Sequence, residues 1–157
     1  MLRSGFWQKA FCFALGIAVV VFAVGLIART AALAVPEGFF AWFKQAGSIE
    51  AGLFLWDLVV TYGLGIGLPA FIALLVAFRF FVAATASAAL AFLAGVLLTV
   101  HVLAPLWFGY SLDMVWQRPW FAFAMEASLG LAALAAWFIA RRRASRAPSA
   151  AAPLGAT

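Results

Sequence analysis

His101 and Glu126 stand in apolar stretches, LLTVHVLAP and FAFAMEASLG, where a charge is expensive. An ionised carboxyl at bilayer depth costs on the order of several kcal/mol unless it is paired or protonated. The two residues fall on consecutive expected helices, with Trp107 beyond His101 and Trp120 before Glu126 at the same sequence separation. Tryptophan favours the membrane–water boundary. The intervening stretch of helix rises roughly 9 Å, so both side chains lie at one depth inside that boundary. An imidazole beside a carboxyl can hold or pass a proton near neutral pH. The chemistry to expect is a proton relay, or a site for a cationic or hydrogen-bonding ligand. The plainer alternative is a structural hydrogen bond between helices. His101 lies on a face without the small residues of a tight helix interface, which favours the plainer role for it. Asp57 is the third polar candidate and sits beside Trp56, near the boundary.

Other chemistries find too few residues. A metal site would have to combine His101 and Glu126 with Asp57 or Asp113, and no HxxxH or ExxH spacing is present. Bis-histidine haem ligation within the chain is excluded by the single histidine, and Met114 or Met125 as a partner would be arbitrary. The lone Cys12 excludes an intrachain disulfide. A catalytic triad from Ser111, His101 and Asp113 has nothing to hold it in register. Nucleophile and phosphate-cradling motifs are absent, and the Gly63-x-Gly65-x-Gly67 run lacks dinucleotide spacing. No cofactor and no enzymatic activity are expected.

The elements that must position the pair follow from composition. The chain is 68% hydrophobic and 10% charged, with a mean hydropathy of +1.13, which suits a helical protein dissolved in lipid. The expected fold is all-α, a polytopic membrane protein. Its four transmembrane helices form an antiparallel bundle over about 10–31, 51–78, 83–105 and 119–140, within a domain covering 1–146. Ala32-Leu33-Ala34 resembles a signal-peptidase site, but the preceding apolar run is longer than a signal peptide's core. Residues 36–49 are too polar to span. As a helix they place Glu37, Ala41, Lys44 and Ser48 on one stripe and aromatics around the rest, the pattern of a short interfacial helix. In the second span Gly63 and Gly67 form a small-xxx-small pair, and Pro69 should kink or hinge the helix. Ala84, Ala88, Ala91, Gly95 and Thr99 make a packing stripe on the third. On the fourth, Ala122, Glu126, Gly130 and Ala133 share a stripe, so Glu126 is expected to face packed protein. Residues 147–157 read as a disordered tail.

Basic residues give the orientation. Arg3, Lys9, Arg79, Arg141, Arg142, Arg143 and Arg146 collect on one side, against Arg29, Lys44 and Arg118 on the other. The excess puts both termini in the cytoplasm and the interfacial helix on the outer face. All five acids and His101 then occupy the outward half. The net charge of +5 is concentrated at a helix end, which indicates anionic lipid rather than nucleic acid. Arginine-rich, alanine-rich composition associates the chain with a bacterial genome, hence the inner membrane. Two functions fit. One is a non-enzymatic accessory or assembly component docking a membrane-protein partner or a second copy. The other is a small transporter or channel-like subunit using Glu126, Asp57 and His101 for proton or solute handling. A reporter active only outside the cytoplasm should work when fused after Arg118 and fail when fused after Thr157. Activity at Thr157 would overturn this assignment and favour three spans behind a cleaved signal segment.

Overall fold

A computed structural model describes residues 5–108 and 119–146; Asp113, Arg118 and the expected disordered tail lie outside that range. Among the described residues every regular element is a helix. Uninterrupted apolar sequence without an internal proline gives α1 (Gly5–Ala31). A short helix, α2 (Glu37–Gln45), follows Pro36. The chain then enters α3 (Ile49–Phe80), α4 (Ala86–Trp107) and α5 (Pro119–Arg146). Four of these helices, all but α2, are long and apolar enough to cross a membrane.

Local chemistry sets the ends. Helix α2 was expected to continue to residue 49, but it closes at Gly47, whose φ of 71° suits glycine alone. There Ser48 N–H donates to Phe43 O and Gly47 N–H donates to Lys44 O, a Schellman closure. The Thr85 hydroxyl caps α4 by accepting from Ala88 N–H at 3.2 Å. Pro119 opens α5, where a missing N–H does no harm. At the far end of α5, Arg141 and Arg142 lie over the rings of Trp137 and Phe138, 5.3 and 4.1 Å from their centroids. This lets apolar stems and rings remain together while the charges turn outward.

Packing runs α4 against α1, α1 against α3, and α3 against α5, with α5 also reaching α4. Phe92, Ile66, Leu74, Val96 and Leu129 are the large buried side chains at the centre. The expected stripe on α4 is a packing face: Ala88, Gly95 and Thr99 are buried. Its partner is Gly16 of α1, which sequence reading passed over. A Cβ on Gly95 would run into the carbonyl of Phe13, and one on Gly16 into that of Phe92. The two backbones therefore touch, and only glycine permits it.

Two expected packing glycines are corrected. A Cβ on Gly63 would meet only Leu58 of its own helix, whereas Gly65 lies against Thr30 and Ile27 of α1, and Gly67 lies beside Ser128 of α5. The close pair is thus Gly65 and Gly67, because α3 is wound wider than an α-helix here. A Cβ on Gly130 would meet nothing within 4 Å. The buried face of α5 is centred on Ala124, Ser128, Ala132 and Ala136; it takes in Leu129 and, of the expected stripe, Ala133, and leaves Glu126 and Gly130 at its edge. That face is itself a small residue at every fourth position, a stronger packing signal than the stripe through Gly130. Gly95→Leu should separate α1 from α4, at about 1–3 kcal/mol, and lower the detergent melting temperature. Gly130→Leu and Ala135→Leu, at open positions, should melt like the parent. Equal melting of all three would show the contact faces to be misassigned.

Candidate functional site

Helix α3 is not α-helical throughout. From Asp57 to Gly67 it is a π-helix, and Leu68 N–H donates to Gly63 O, five residues back. A shorter π segment, Thr99–Leu103, interrupts α4 and closes with Ala104 N–H donating to Thr99 O. Each segment ends two residues before a proline, Pro69 or Pro105. Proline has no N–H and crowds the carbonyl four residues earlier, which is Gly65 in one helix and His101 in the other. Widening the helix is the local response, and it is where the expected disturbance from Pro69 is found. π-Helical turns are rare and concentrate at functional sites.

His101 lies within the second of these segments. Its Nε2 is 3.0 Å from Oε1 of Glu126 on α5, a hydrogen-bonding distance. The two residues singled out by depth are therefore in direct contact across the α4–α5 seam. Because Glu126 stands beside the buried face of α5 rather than within it, the pair is not sealed. Its side chains retain 32% and 38% exposure. The expectation that Glu126 faces close-packed protein is corrected accordingly.

Asp57 opens the first π segment and is bonded within its own helix, accepting from the Thr61 hydroxyl at 2.8 Å. Two hydroxyls from other helices reach the same segment. Thr30 of α1 donates to Thr61 O at 2.7 Å, and Ser128 of α5 donates to Leu58 O at 2.6 Å. Thr30, Thr61 and Ser128 were not among the residues expected to matter. The available signal was their occurrence as hydroxyls inside apolar helices, where they bond carbonyls that a distorted backbone leaves accessible. Among the described residues the three side-chain bonds between helices, from Thr30, from Ser128 and between His101 and Glu126, each end on a π segment. Asp57 belongs to this polar zone through Thr61 but makes no bond with His101 or Glu126 among the described residues.

No group of three metal-ligating side chains occurs among the described residues. The site can hold a proton between an imidazole and a carboxyl, and it can offer hydrogen-bonding atoms to a molecule at the α4–α5 seam. Comparison with known protein families, curated proteins and solved structures gave no match. The geometry of these residues therefore carries the functional argument alone.

Proposed function

We propose that this chain is a small non-enzymatic subunit of the bacterial inner membrane that handles protons or a solute at His101 and Glu126. In this reading four antiparallel spans form a bundle with both termini in the cytoplasm, following the basic residues at the Arg79 and Arg141–Arg143 ends. Helix α2 lies at the outer interface. There Phe39 packs on Trp56, with ring centroids 5.6 Å apart, while Trp42 remains 64% exposed to meet headgroups.

The observation that carries the reading is the 3.0 Å contact between His101 and Glu126. An ionisable pair within apolar helices is costly to keep and marks a proton or substrate path by default. Its incomplete burial leaves it able to exchange with the surroundings, and Asp57 supplies a second carboxylate in the same polar zone. A docking role is the second reading, favoured by the exposed Trp42 on a helix already fixed to α3. In proteoliposomes under an imposed potential, the parent should carry protons. Glu126→Gln and His101→Gln should each slow that flux at least tenfold while remaining folded. Equal flux in all three would remove the proton reading and leave docking.

A further inference from the structure

The His101–Glu126 contact uses one polar atom from each side chain. Nδ1 of His101 and Oε2 of Glu126 have no hydrogen-bond partner among the described residues, and no side-chain N or O is both buried and unpaired. Both atoms therefore open at the surface of the helix seam. In the neutral tautomer with Nε2–H donating to the carboxylate, both are acceptors, so a complementary ligand brings two donors, as a ring with two hydroxyls does.

What surrounds them is apolar. One turn along α5 from Glu126 stands Gly130, with nothing within 4 Å of the position a Cβ would take. Across the seam, one turn back from His101, Leu97 and Leu98 are exposed, and Phe123 is exposed on the other side of Glu126. The missing side chain at Gly130 leaves a flat, open strip directly below the polar pair. Trp107 is 63% exposed, six residues beyond His101, so the pair lies roughly 9 Å inside the aromatic level. A phospholipid headgroup belongs at that level, not below it. A molecule dissolved in the hydrocarbon, with a hydroxylated ring and an apolar tail, fits both parts.

We infer that the α4–α5 seam binds the head of a lipid-soluble hydroquinone. Its ring hydroxyls donate to Nδ1 of His101 and Oε2 of Glu126, and its ring and tail lie along Gly130, Leu97 and Leu98. This rests on the functional reading of the pair and names the ligand class it serves. The test is equilibrium binding of a benzohydroquinone with a ten-carbon tail to the purified full chain in lipid nanodiscs, kept anaerobic. Saturable binding is expected. Gly130→Leu, which fills the strip, and Glu126→Gln, which removes the charged acceptor, should each weaken it at least tenfold. Ala135→Leu should bind as the parent does. The oxidised benzoquinone with the same tail brings only acceptors and should bind at least several-fold more weakly. No saturable binding by the parent, undiminished binding by both site variants, or equal affinity for the oxidised ring overturns the inference. Proton flux measured without hydroquinone reports on the proton reading separately. Flux without binding removes only the ligand, and binding without flux removes only the proton path.

Discussion

Two prolines withhold backbone donors inside apolar helices, and the polar part of this structure is arranged around that deficit. In water the freed carbonyls would be solvated; in hydrocarbon they must be met from within the protein. Pro69 and Pro105 each stand just beyond a π segment. The wider winding re-pairs the backbone and presents carbonyls to neighbours. On α3 Thr30 and Ser128 bond two other carbonyls of the widened segment, those of Thr61 and Leu58, so the distorted backbone becomes the means by which α1 and α5 are fixed to it. On α4 the same distortion carries His101 to Glu126.

The tight and the open parts of the molecule divide the work. Where Gly16 and Gly95 bring backbones into contact, α1 and α4 form a rigid seam with no room for a ligand. Where α4 meets α5 the packing is looser, and Gly130 faces open space rather than a partner. A polar pair placed in the first seam would be sealed. Placed in the second, it stays accessible from the side, which suits exchange with something dissolved in the membrane. Rigid packing on one side of α4 thus holds the helix while its other side stays available.

Much of this was legible in the sequence. Apolar run lengths located the four long helices to within a few residues, and the equal spacing of His101 and Glu126 from tryptophans set them at one depth. The stripe through Gly95 was readable as small residues at helical spacing. What escaped did so for a common reason: helical-wheel reasoning assumes an unbroken α-helix of fixed pitch. Over Asp57–Gly67 that assumption fails, so Gly63 was chosen where Gly65 makes the contact. On α5 two small-residue stripes compete in the sequence, and the one containing Glu126 meets the buried face at Ala133. The stripe through Ala124, Ser128, Ala132 and Ala136 packs together with Leu129 and Ala133, which leaves Glu126 and Gly130 at the edge of the buried face. The early end of α2 was readable at Gly47 as a helix-stop glycine.

The central claim is that His101 and Glu126 are bonded within the membrane, and the sequence offers a direct way to test it. The chain contains a single histidine, so ¹⁵N-histidine labelling of protein purified without a histidine tag reports on His101 alone. In lipid at a fixed pH, the ring nitrogens should show Nε2 hydrogen-bonded to an acidic group, a signature that Glu126→Gln removes and Asp57→Asn leaves in place. Identical ring spectra for the parent and Glu126→Gln would contradict the account.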